Sequence, residues 1–212
     1  KKENQAITRL TNSKSKVSSH YLIKNNGEIL TLVPDLYVAW HAGISSWKNY
    51  KSINKYSIGI EISNPGHEYS YKKFSKEQVK SIIKLSTYLI KKYNIKPNFI
   101  LGHSDIAPDR KKDPGEKFPW KYLSKNKIGH WHNLNEKKLF KKRNLTEGKN
   151  EKIKFIKNLY EIGYPKNILI NKYKYSKLLT TAFQRRFRQE LVNGIIDQEC
   201  LIISNNLAKN LK

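Results

Sequence analysis

Residues Ser57 to Ser63 read SIGIEIS, and a long helical pattern follows them; this pairing of periodicities constrains the fold more than any other feature. Ile58, Ile60 and Ile62 alternate with Gly59, Glu61 and Ser63, which predicts a strand with one face on the core and Glu61 on the other. Ser75 followed by Gln78 is a capping box, and Val79, Ile82, Ile83, Ser86, Leu89, Ile90 and Tyr93 keep helical spacing up to Asn94. Beyond Pro97, the apolar run Phe99 to Leu101 predicts a buried strand that delivers Gly102 and His103 to its C-terminal edge. Upstream, Glu3 to Leu10 is a short helix candidate. Ser19 to Lys24 and Glu28 to Val33 form a hairpin through Asn25, Asn26 and Gly27. Strand and helix patterns that interleave in this way imply an α/β (α+β) fold with a mixed central sheet flanked by helices.

The 212 residues are enough for this domain and a smaller one. Residues 1–135 form the expected first domain, and the charged, Gly-containing stretch 136–150 reads as a linker. In 151–212, Ile153, Ile156, Leu159 and Tyr160 predict one amphipathic helix, Leu179, Ala182, Phe183 and Phe187 a second, and Leu201 to Leu207 a third, giving a small three-helix domain. The formal charge of +25 suits polyanions, but the basic residues are mostly Lys spread along the whole chain, which fits solvated faces as well. No nucleic-acid-binding motif accompanies the charge. The single Cys200 excludes an internal disulfide and a Cys-based metal site. No apolar run is long enough to span a bilayer.

Chemistry concentrates in LGHSDIAPDRKKDPG. His103 is followed by Asp105, Asp109 and Asp113 in a loop pinned by Pro108, Pro114, Gly115 and Pro119. Such a loop can hold a carboxylate against an imidazole to form a metal site. Asp113 is the preferred carboxylate, because Asp105 and Asp109 serve equally well as turn caps. Glu61 is a candidate general base, with Gly59 beside it leaving room for substrate or water. Lys111 lies two residues before Asp113 and points to the same side of an extended loop. His20, Trp40 and His41 are candidates for substrate contact, with core packing the equal alternative for His41. His67, His130 and His132 lack supporting neighbours and are expected at the surface.

Taken together, SSHYLI, AWHAGIS, SIGIEISN, LGHSDIAPDRKKDPG and FPW resemble the zinc-dependent N-acetylmuramoyl-L-alanine amidases, related to phage lysozyme-type amidases and peptidoglycan-recognition proteins. The resemblance spans Val17 to about Trp131, and AFQRRFRQELVNGIID is similar to part of a three-helix peptidoglycan-binding module. The family implies a zinc ion held by two His and one Asp. His103 and Asp113 are then two of these ligands, Glu61 the catalytic acid/base and Lys111 the cation at the oxyanion. It also implies a first zinc His on a strand ahead of the helix Gln5 to Leu10, and this sequence begins at that helix. The expectation is a partial site within a longer product that an export signal can precede. Activity on peptidoglycan or muropeptides, in the periplasm or cell envelope or alternatively the cytoplasm, follows from the resemblance. A non-catalytic wall-binding protein is the alternative.

Overall fold

The computed structural model describes residues 3–211. Helix α1 (Glu3–Thr11) leads into a hairpin of β1 (Tyr21–Ile23) and β2 (Ile29–Thr31), paired antiparallel with Leu22 opposite Leu30. Gly27 makes its turn at φ +85°, where the α2 backbone approaches so closely that a Cβ would lie 2.8 Å from the Glu77 carbonyl. A ribbon of β3 (Ser46–Trp47) and β4 (Tyr50–Lys51) follows, and then β5 (Ile60–Ile62), which runs parallel to β1 with Glu61 in register with Leu22. The main sheet is thus mixed, in the order β2-β1-β5.

The predicted capping box is present at the start of α2 (Lys76–Tyr93): the Ser75 side chain accepts from Gln78 N–H and Gln78 returns the bond to Ser75 N–H. Ile82, Leu85 and Leu89 on this helix pack with Tyr21 and Ile23 of the sheet and with Phe118, Trp120, Leu123 and Ile128. Ile58, Ile60 and Ile62 pack against the same cluster, as their alternation requires.

The strand expected at Phe99 to Leu101 does not form. Pro97–Phe99 is a short 3₁₀ turn, and Ile100 is extended but joins no ladder among the described residues. Its carbonyl accepts from the Arg186 guanidinium at 2.9 Å instead of from a neighbouring strand. Next come α3 (His103–Ile106), α4 (Trp120–Lys125) and α5 (Glu136–Phe140). The C-terminal part holds the three helices α6 (Lys149–Ile162), α7 (Lys172–Phe187) and α8 (Gln198–Lys209).

The stretch 136–150 is not a free linker. It contains α5, with Leu139 in the core, and Arg143 grips the Glu199 carboxylate through two bonds of 2.6 and 2.9 Å. Nor do the C-terminal helices keep a separate core. Phe155, Leu159, Leu179, Phe183, Ile203 and Leu207 are buried in one cluster with Ala42, Trp47, Ile53, Ile106 and Ala107 of the first part. No helix among the described residues is long and apolar enough to cross a membrane.

Candidate active site

His103 opens α3, and the Asp113 loop folds back over the start of that helix. The Asp113 carbonyl accepts from Ser104 N–H at 2.9 Å, while the Asp113 carboxylate lies 3.0 Å from His103 Nδ1. The turn after Asp113 is packed from outside. Tyr71 donates its hydroxyl to the Pro114 carbonyl at 2.7 Å and accepts from Lys117 N–H at 2.9 Å. Gly115, at φ +84°, has the Tyr71 hydroxyl 2.6 Å from where a Cβ would stand, so only glycine fits this close approach.

The other ring nitrogen settles what this pair can do. His103 Nε2 is 3.0 Å from the Ala42 carbonyl, an acceptor only, so Nε2 carries a hydrogen and Nδ1 is the nitrogen that faces the Asp113 carboxylate. Two lone pairs at 3.0 Å repel unless a proton or a metal ion lies between them. A histidine that donates one N–H to a backbone carbonyl and turns the other nitrogen to an anion is the usual arrangement of a metal ligand. His103 and Asp113 therefore fit as two zinc ligands; no group of three His, Cys, Asp or Glu suited to a metal occurs among the described residues.

Glu61 stands on the sheet face away from its isoleucine neighbours. Solvent reaches the side chain, but protein rings it, and this crowding raises its carboxyl above the ordinary carboxylate value. Asp113 adds to the rise, while His103, Lys111 and Arg9 oppose it, so all four lie within electrostatic reach. For Asp113, burial works upwards, but the His103 hydrogen bond and charge outweigh it and, helped by Lys111, hold the carboxyl low. Two carboxylates driven in opposite directions suit different tasks, one accepting and returning a proton and one staying ionised. Lys111 is half-buried and forms no ion pair among the described residues.

The His20, Trp40 and His41 cluster divides. Trp40 is 53% exposed beside the site. His20 is fully buried: Nδ1 accepts from Gly59 N–H at 3.0 Å and Nε2 donates to the Tyr37 carbonyl at 2.9 Å, so it braces the sheet and does not face a ligand. His41 is half-buried between His20 and His103, and burial above all, with both neighbouring imidazoles, lowers its pKa to about 4 and keeps it neutral. Its ring fills the space over Gly59, where a Cβ would meet His41 Cγ at 2.3 Å. The gap left by that glycine therefore admits His41 and not a substrate.

Of the residues around the site, Asp105 takes the capping role its sequence position allowed, while others carry no clear sequence signal. Asp105 is 1% exposed and caps Gly102 N–H at 2.8 Å, so it is a structural carboxylate and not a ligand. His67 lies at the surface as expected, paired with Glu116 at 2.9 Å and with its ring over Tyr71, whereas His132 is buried, against the expectation of a surface residue. Only the repeated placement of Gly and aromatic residues around the loop hinted at this packing.

The fold and this site define a member of a hydrolase family that cleaves an amide of the bacterial cell wall. The family profile of N-acetylmuramoyl-L-alanine amidases matches residues 1–116, and this chain belongs to that family. It is 34% identical over 203 residues to the N-acetylmuramoyl-L-alanine amidase AmiD of Escherichia coli K12, covering 90% of this chain and 73% of AmiD. The structure of E. coli AmiD in complex with anhydro-N-acetylmuramic acid-L-Ala-D-gamma-Glu-L-Lys superposes with a TM-score of 0.87 at 33% identity, covering 98% of this chain and 84% of that one. AmpDH3 of Pseudomonas aeruginosa in complex with anhydromuramic pentapeptide gives a TM-score of 0.85 at 28% identity, covering 99% of this chain and 88% of that one.

Proposed function

We propose that this chain hydrolyses the amide between the lactyl group of N-acetylmuramic acid, or its anhydro form, and L-alanine in peptidoglycan fragments. The observation that carries the reading is the His103–Asp113 pair, with Nδ1 of His103 facing a carboxylate at 3.0 Å, and Glu61 and Lys111 are within electrostatic reach of it. The likeness to AmiD and AmpDH3, both in complexes with anhydromuramyl peptides, supports the anhydro form as substrate.

His103 and Asp113 would hold zinc, which when bound supplies Lewis acidity and lowers the pKa of water towards neutrality. The protein's own work is proton transfer and charge placement. Glu61, with its raised proton affinity, takes a proton from the attacking water and returns it to the leaving L-alanine nitrogen. Lys111 puts a positive charge where the carbonyl oxygen gathers negative charge. His41, neutral throughout, packs behind this arrangement without competing for the proton.

Purified protein supplied with zinc and an anhydromuramyl tripeptide tests the reading by chromatography of the released peptide. Wild type is expected to release it, and Glu61→Gln to lower the rate by about 10²–10⁴. The competing outcome is recognition of wall fragments without turnover. Binding of the fragment with no release from wild type at saturating zinc would select it.

A further inference from the structure

Arg110 lies in the same loop as Lys111 and Asp113, and its guanidinium is spent on backbone carbonyls of the 42–44 segment. Its Nε donates to the Ile44 carbonyl at 2.9 Å, and its Nη2 donates to the carbonyls of Ala42 and Ile44, each at 2.5 Å. The Ala42 carbonyl is therefore shared, taking the Arg110 guanidinium from one side and His103 Nε2–H at 3.0 Å from the other. Gly43 makes the clamp possible. Its φ is +59°, and a Cβ there would stand 3.0 Å from Arg110 Nη2. Burial fixes the other side of this acceptor, since Ala42 is 1% exposed and its N–H is held by Asn54 Oδ1 at 2.7 Å.

We infer that Arg110 is a positioning residue for the reaction. By fixing the Ala42 carbonyl it fixes the ring plane and tautomer of His103, and so presents Nδ1 to the metal position shared with Asp113. This rests on the amidase reading for its catalytic consequence. A backbone carbonyl on a loop is a mobile acceptor unless something else ties it down. A planar guanidinium that spans two carbonyls is suited to do so, whereas a lysine ammonium supplies a point charge without the fork. Partners of a ligating histidine typically alter metal affinity or activity about 10–100-fold when removed.

The test compares wild type, Arg110→Lys and Arg110→Ala in three readouts: zinc affinity by chelator competition, kcat and KM on an anhydromuramyl tripeptide, and the imidazole ¹⁵N spectrum of the metal-free protein. Arg110→Ala is expected to weaken zinc binding about tenfold or more and to lower kcat to a similar degree, with KM within about twofold of wild type. Arg110→Lys should fall between them. In the metal-free spectra, wild type should show one ordered His103 ring with its Nε2–H held on the Ala42 carbonyl, and Arg110→Ala a broadened or averaged Nε2–H signal. Unchanged zinc affinity with an unchanged His103 signal, or a rise in KM alone, would overturn the inference and leave Arg110 as a loop brace. Should Arg110→Ala fail to fold, Arg110→Lys against wild type decides by the same readouts. If wild type itself shows neither zinc binding nor turnover, the amidase reading fails, and the imidazole spectra still decide whether Arg110 sets His103.

Discussion

Arg186, on α7, donates to the Asp105 carboxylate at 2.5 Å, and Asp105 lies two residues beyond His103. Both side chains are almost fully buried, Tyr164 donates its hydroxyl to the same carboxylate at 2.9 Å, and the guanidinium lies 4.1 Å from the Trp120 ring centroid. The C-terminal helices thus hold the segment that carries His103, with Arg186 also bound to the Ile100 carbonyl just before it.

Replacing Arg186 with Met should cost about 3–5 kcal/mol, because Asp105 would remain buried without its countercharge. Urea unfolding of the variant beside wild type measures this; a loss below about 1 kcal/mol would mean that water compensates Asp105.

Ending the chain at residue 135 should yield a fragment without a cooperative transition. It would expose Trp47, Ile53, Ile106 and Ala107, which share their core with α6 to α8, and remove Arg186 and Tyr164 from Asp105. A sharp thermal melt of this fragment, followed by circular dichroism, would contradict the shared-core account.

Gly59→Ala tests the packing of His41. The added methyl would lie 2.3 Å from His41 Cγ, and the ring is trapped near His20, so relief requires movement of the sheet or of the 40–42 segment. Overpacking of this kind costs about 1–3 kcal/mol. Calorimetry should show a lowered Tm, together with reduced activity as the neighbouring site shifts.

Asp35 gives the fold an acid-sensitive tie. Burial alone would raise its carboxyl, but bonds from Tyr21 at 2.6 Å, Lys92 at 2.9 Å and Tyr93 at 2.7 Å outweigh it and hold the pKa at about 2, against the ordinary 3.8. A depressed folded pKa contributes stability that is complete above about pH 5 and drains away as pH falls through 4 towards 2. Allowing for screening at the partly open Lys92 side, that contribution is about 1–2 kcal/mol. Asp35→Asn should lose it near neutrality and show a smaller deficit near pH 2, measured by denaturant titrations at both pH values.

What could be read from the sequence was what local rules govern. The alternation of SIGIEIS, the Ser75 and Gln78 capping box, the hairpin at Gly27 and the helical spacing of the C-terminal residues are set by neighbours a few positions apart. His103 and Asp113 belong with these, because ten residues of Pro-rich loop can bring them together without help from the rest of the fold. Tertiary structure decided the contacts between residues far apart in the chain. It turned the expected strand at Phe99 to Leu101 into a segment bound by Arg186, made 136–150 part of the core packing, filled the gap at Gly59 with His41, and gave Arg110 a carbonyl to hold instead of solvent. Buried polar groups take whichever partner the fold brings within hydrogen-bond distance, and no local pattern encodes that choice.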